Sequence, residues 1–171
     1  AVTTHLSRRV LLIGAGGHAR VCLEALVDDG ATQVIGALSA DGTGIQGLGV
    51  PVLGRESELE NLTQSESGLT FCVAIGDNQT RQSITRMLTE SGREVTHAIS
   101  QFAMVSTTAV RGAGVQLLAG SVVNAAAVVG PGTIVNTNAS VDHDCRIGQF
   151  VHVAPGSAIG GDVTIGDRTL I

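Results

Sequence analysis

Residues 123–159 read VNAAAVVGPGTIVNTNASVDHDCRIGQFVHVAPGSAI, and through them an aliphatic residue returns at every sixth position. Followed outward, the series runs Val105, Leu117, Val123, Val129, Val135, Val141, Ile147, Val153, Ile159, Ile165 and Ile171, broken at Arg111. Four residues after each member stands a small or β-branched side chain, Ala109, Ser121, Ala127, Thr133, Ala139, Cys145 and Val151 among them. Neither an amphipathic helix nor a half-buried strand has this period, so the segment is a stack of short units, each burying its aliphatic residue against its neighbours. Three hexads make one triangular coil of a parallel β-helix, with coils expected at 105–122, 123–140 and 141–158. The fourth coil breaks off at Ile171. That would leave a sheet edge and an apolar column uncovered, so a chain continuing beyond this residue is expected.

Composition excludes several classes of function. The chain has 171 residues, 43% hydrophobic and 15% charged, a balance suited to a buried core. The net charge of -5 and the three aromatic residues, Phe71, Phe102 and Phe150, argue against nucleic acid, which asks for a basic surface and stacking platforms. All ten basic residues are arginine, so neither a Schiff-base lysine nor a Walker lysine is available. Cys22, Cys72 and Cys145 lack metal-ligand spacing and read as reduced, buried thiols of a cytoplasmic protein. The short apolar run Val10 to Ile13 is a strand, too short for a signal-peptide core or a membrane span.

The period changes near residues 97–104, which divides the chain into residues 1–99 and 100–171. In the first part Val10–Ile13, Val34–Leu38, Leu69–Ile75 and Glu94–Ile99 read as strands. Helices follow Gly17, with Val21, Cys22, Ala25 and Leu26 inward, and follow Asp77 or Asn78, with Ile84, Met87 and Leu88 inward. A short helix is expected over Glu56–Leu62. Strand and helix alternation predicts a small Rossmann-like parallel sheet, whose ligand lies beyond the carboxyl ends of the strands. Gly14-Ala15-Gly16-Gly17-His18-Ala19 fits G-x-G-x-x-A between strand and helix, with Asp41 at about the distance of a ribose partner. Such a loop offers helix N–H groups to a pyrophosphate without naming the nucleoside. A dehydrogenase would also need a substrate domain with a hydride-transfer acid or base, and a β-helix follows instead.

The combination of parts is more specific than either alone. The G-A-G-G-H turn, the A-I-G-D-N-x-x-R turn from Ala74 to Arg81, and hexapeptide coils holding Asn136-Thr137-Asn138-Ala139-Ser140-Val141-Asp142-His143-Asp144 together resemble the PglD and NeuD family. These are bacterial nucleotide-sugar N-acetyltransferases and sialic acid O-acetyltransferases of surface-glycan biosynthesis. The resemblance implies a left-handed β-helix, acetyl-coenzyme A lying along it between subunits of a homotrimer, and no metal. It places Gly14, Gly16, Gly17, His18, Asp41, Asn78 and Arg81 around the nucleotide sugar. It makes His143 the catalytic base, His152 a contact of acetyl-coenzyme A that polarises its carbonyl, Gly161 an oxyanion donor, and Asn136 part of the same pocket. The expected acceptor is a UDP-linked 4-amino-4,6-dideoxy sugar, then a GDP-linked amino sugar, then a sialic acid hydroxyl.

The chemistry agrees with that assignment. A neutral imidazole can take a proton from an attacking amine near neutral pH, and a carboxylate on its second nitrogen fixes its tautomer. Asp142 and Asp144 both flank His143, and Asp144 is favoured because the resembled family places an acid just after the histidine. Cys145 falls in a small-residue corner slot and reads as packing. Two other readings stay open, a trimeric zinc hydrolyase and a nucleotide-sugar scaffold without catalysis. The zinc enzyme needs three histidine ligands where the coils hold only His143 and His152.

Overall fold

The computed structural model describes residues 8–28, 30–59 and 68–171. Four parallel strands form the amino-terminal sheet: β1 (Arg8–Ile13), β2 (Thr32–Ser39), β3 (Val52–Arg55) and β4 (Leu69–Val73), in the order β3-β2-β1-β4. The central strand β1 is apolar on both faces because it is covered on both, and Val10, Leu12 and Ile13 are fully buried. Helix α1 (Gly17–Val27) buries Ala19, Cys22, Ala25 and Leu26. Helix α2 (Asn78–Glu90) is capped by Asp77, whose Oδ1 accepts from the Thr80 N–H at 2.8 Å. Strand β3 was absent from the sequence reading, since its burial alternates weakly and glycine interrupts it. The expected helix over Glu56–Leu62 is a short 3-10 turn at Glu56–Glu58, and its continuation from residue 60 lies outside the described residues.

From Ala98 the chain winds through two-residue rungs that pair in parallel with rungs eighteen residues away, as Ile134 pairs with Gln116 and His152. Three four-stranded sheets result, and the architecture is a left-handed parallel β-helix. Ala98 and Ile99, expected to end the amino-terminal sheet, pair with Gln116 and Leu117 and so form its first rung. The aliphatic column is buried from Leu117 through Val153, with every member between them at 3% exposure or less. Removing each such side chain from water is worth roughly 1.5–3 kcal/mol, which explains why the period tolerates so little interruption. Every sixth residue from Gly114 to Arg168 has positive φ, including Ala126, Asn138, Asp144 and Phe150. Each corner therefore takes one left-handed residue, the conformation that glycine, asparagine and aspartate adopt at least cost.

The two parts pack through one face of the β-helix. Its outward positions Ala98, Gln116, Ile134 and His152 stand one coil apart. Ala98 and Ile134 are fully buried, in one apolar cluster with Ala19, Cys22 and Ala25 of α1. Among the described residues no helix is long and apolar enough to cross a membrane.

Candidate active site

Asp142-His143-Asp144 occupies a corner on the outer wall. The left-handed turn at Asp144, with φ of 60°, brings its Oδ2 to 2.8 Å from His143 Nδ1. Asp142 is engaged differently. Its Oδ1 accepts from the His143 backbone N–H and from Asn124 Nδ2, each at 2.8 Å. Asp144 is thus the carboxylate that orients the ring, and Asp142 holds the turn. The hydrogen bond to Asp144, assisted by the charge of Asp142, raises the imidazole above its usual pKa.

One coil further on, Gly161 lies against the other edge of the ring. A Cβ placed there would meet His143 Cε1 and Nε2 at 2.6 Å, so only glycine leaves the imidazole in place. The Gly161 N–H makes no hydrogen bond among the described residues. A histidine held through Nδ1 presents Nε2 as a proton acceptor, beside a backbone N–H suited to a developing oxyanion. Cys145 lies beneath, buried, with its thiol donating to the Gly160 carbonyl at 3.1 Å, as packing requires.

His152 lies elsewhere, in the seam between the two parts. The Thr137 N–H donates to Asn136 Oδ1 at 2.8 Å, which leaves Asn136 Nδ2 to donate to His152 Nε2 at 2.9 Å. Burial and the nearby Arg81 charge lower its pKa, which favours the neutral ring with its proton on Nδ1. Its side chain lines a cavity of about 370 Å³ with Asn78, Arg168 and Leu170.

The residues expected around the nucleotide separate into two groups. Gly16, Gly17 and Asp41 face the sheet edge, where a cavity of about 390 Å³ is lined by Gly16, Asp41 and Thr43 among others. A Cβ on Gly16 or Gly17 would meet nothing within 4 Å, and no side chain caps α1, so its amino terminus is open to an anion. Asp41 accepts from the Thr43 N–H at 2.9 Å and the Thr43 hydroxyl at 2.8 Å, both through Oδ1, which lowers its pKa. Gly14 differs: at φ of 113°, its Cβ would meet the Ala74 carbonyl oxygen at 2.5 Å, so it serves the packing of β1 beside β4.

His18, Asn78 and Arg81 form the second group and turn into the seam. His18 Nε2 lies 2.6 Å from Gln116 Oε1, and Gln116 Nε2 donates to the Val73 carbonyl at 2.7 Å, so the shared proton belongs to His18. Burial lowers the His18 pKa. Asn78 Nδ2 donates to the Arg168 and Thr169 carbonyls at 3.0 and 3.2 Å.

Arg81 is fully buried. Its Nε donates to the Gly132 carbonyl at 2.7 Å, its Nη1 to Ile75 and Gly76 at 2.9 Å, and its Nη2 to Asn78 Oδ1 at 2.6 Å and to the Phe150 and Val151 carbonyls at 3.2 and 3.3 Å. All five of its N–H groups are used inside the protein. In this structure Arg81 bolts α2 to the coils. Burial draws its pKa down to about 10, still a cation at neutral pH. Gln116 was missed in the sequence. Its signal was a polar residue in an outward slot between rungs that carry Ala98 and Ile134 in the same place.

A small Rossmann-like parallel sheet joined to a hexapeptide β-helix, with a histidine–aspartate pair on the outer wall, defines the class as a β-helix acyltransferase. Comparison with known proteins agrees. The family model of the PglD N-terminal domain matches residues 9–88. The acetyltransferase domain of PglB from Neisseria gonorrhoeae is 37% identical with a TM-score of 0.88, over 96% of this chain and 80% of that one. A perosamine N-acetyltransferase variant from Caulobacter crescentus, in complex with CoA and GDP-perosamine, is 41% identical with a TM-score of 0.87, over 94% and 75% of the two chains. An uncharacterized protein, L142, of Acanthamoeba polyphaga mimivirus is 34% identical over 147 residues, and the chain spans only 25% of its length. The chain belongs to the PglD- and NeuD-like hexapeptide-repeat acetyltransferases, and by class it is an acyltransferase.

Proposed function

We propose that the protein transfers the acetyl group of acetyl-coenzyme A to the amino group of a nucleotide-linked amino sugar, with His143 as general base. The observation that carries this reading is the His143 Nδ1 to Asp144 Oδ2 contact of 2.8 Å, with Nε2 turned toward Gly161. The amine nitrogen attacks the thioester carbonyl carbon and Nε2 accepts its proton. The oxyanion of the tetrahedral intermediate meets the Gly161 N–H. As the carbonyl reforms, the carbon–sulfur bond breaks and the coenzyme leaves as thiolate, which the imidazolium can protonate. Asp144 stabilises that imidazolium throughout.

Acetyl-coenzyme A as donor is supported by the PglB acetyltransferase domain, 36% identical, whose structure is in complex with acetyl coenzyme A. The Gly16 and Asp41 cavity holds the nucleotide, and Asn136 with His152 shapes the donor site. A relative complexed with GDP-perosamine sets a GDP-linked acceptor beside the UDP-linked one expected first. A homotrimer, with the sugar brought to His143 by an adjoining subunit, completes the proposal.

The test is product analysis by mass spectrometry with acetyl-coenzyme A and a panel of UDP- and GDP-linked amino sugars. An amide on one of them, lost in His143→Ala, is the expected result. Full activity of that variant, or an ester in place of an amide, refutes the mechanism.

A further inference from the structure

We propose that Glu56 reads the nucleobase and selects guanine over uracil, an assignment that rests on the nucleotide-sugar reading above. The order of the sheet sets the order of the ligand. Pyrophosphate belongs at the end of β1, where Gly16 opens α1, and ribose at the end of β2, beside Asp41. The next strand outward is β3, so the base falls at its carboxyl end. Glu56 is the first residue after β3 and lines the same cavity as Gly16 and Asp41.

The carboxylate of Glu56 is partly buried and has no hydrogen-bond or ion-pair partner among the described residues. Burial without a partner raises its pKa, the condition in which an incoming pair of donors stabilises the anion most. Among the described residues the cavity lining carries no basic side chain. A carboxylate presents two acceptors side by side. Guanine answers with N1–H and the N2 amino group, two donors at matching spacing. Uracil offers a single N3–H between two carbonyl oxygens, which the carboxylate repels. Among the described residues no aromatic side chain lines the cavity, so this edge contact is the discriminator proposed.

Calorimetric titration of the full chain with GDP and with UDP tests the assignment in wild type, Glu56→Gln and Glu56→Ala. Wild type is expected to bind GDP at least about tenfold more tightly than UDP, the low end for a bidentate contact to a base edge. The Ala variant loses that advantage while keeping its UDP affinity, which also shows that it is folded. The Gln variant, with one donor and one acceptor, complements N3–H and O4 of uracil and shifts the preference toward UDP. Equal binding of the two by wild type, or equal weakening of both by Ala, overturns the proposal. Amide formation that ignores Glu56 overturns this assignment alone. No binding of either diphosphate together with no acetyl transfer overturns it along with the function above.

Discussion

Arg81→Met keeps most of the stem volume and removes a guanidinium whose donors reach six oxygens. Three of those oxygens, on Gly132, Phe150 and Val151, belong to the coils, so the change strips the seam of its central bolt. Leaving a buried acceptor without a partner costs about 1–3 kcal/mol. The low end applies, because the burial of Arg81 is itself costly, a cost that methionine removes. The Val151 carbonyl keeps the Ile134 N–H, so two coil acceptors, on Gly132 and Phe150, lose their partner, and at about 1 kcal/mol each the loss is about 2 kcal/mol. For a chain of this size each kcal/mol moves the thermal midpoint by about 2–4 °C, so a fall of roughly 4–8 °C is expected. Circular dichroism melting of wild type, Arg81→Met and Arg81→Lys measures it, and lysine, with charge and three donors retained, should fall between the other two. A midpoint lowered by less than about 2 °C refutes the bolt. So does lost nucleotide affinity at an unchanged midpoint, since that would restore Arg81 to the substrate.

Other consequences follow from the wall and the glycine turn. The base form of His143 is the active one, and its pKa is raised by Asp144, so kcat/KM should rise with pH through a midpoint above the ordinary histidine value. In Asp144→Asn that midpoint moves to lower pH and the plateau falls; an unmoved midpoint would show that Asp144 does not hold the ring. Gly161→Ala places a Cβ 2.6 Å from Nε2 and Cε1 of His143, and swinging the ring aside should lower kcat by about 100-fold with the melting curve little changed. Steady-state kinetics at wild-type level would refute that reading. Gly14→Ala, at φ of 113° and against the Ala74 carbonyl, should destabilise the fold, whereas Gly16→Ala should melt like wild type and bind nucleotide diphosphates more weakly. Melting curves and titration distinguish the two.

Much of the fold was legible because its signals are local. A hexad buries its aliphatic residue against the hexads directly above and below it, so the period survives in the linear sequence without knowledge of any distant partner. The same is true of Asp142-His143-Asp144, where the bonds to the imidazole and to the His143 N–H come from adjoining residues, and of the turn at Gly14 to Gly17. Glycines 14, 16 and 17 look equivalent in the motif, yet one is needed for a backbone approach and the others open onto the ligand. That difference depends on β4, some 60 residues away.

By itself the sequence determined the β-helix, the small parallel sheet and the histidine on the wall, since each is written in side chains that are neighbours along the chain or stacked at a constant spacing. Only the tertiary structure decided which face of the helix is covered. Outward slots look alike until a domain is laid on one of them, and then Gln116 and, from the other side, Arg81 become interior polar groups that must find partners or incur the cost of going without. Polarity marked Arg81 in the sequence but not Gln116. Burial decided that they hold the two parts together, because a donor sealed away from water is satisfied by the nearest carbonyl and is no longer free for a substrate.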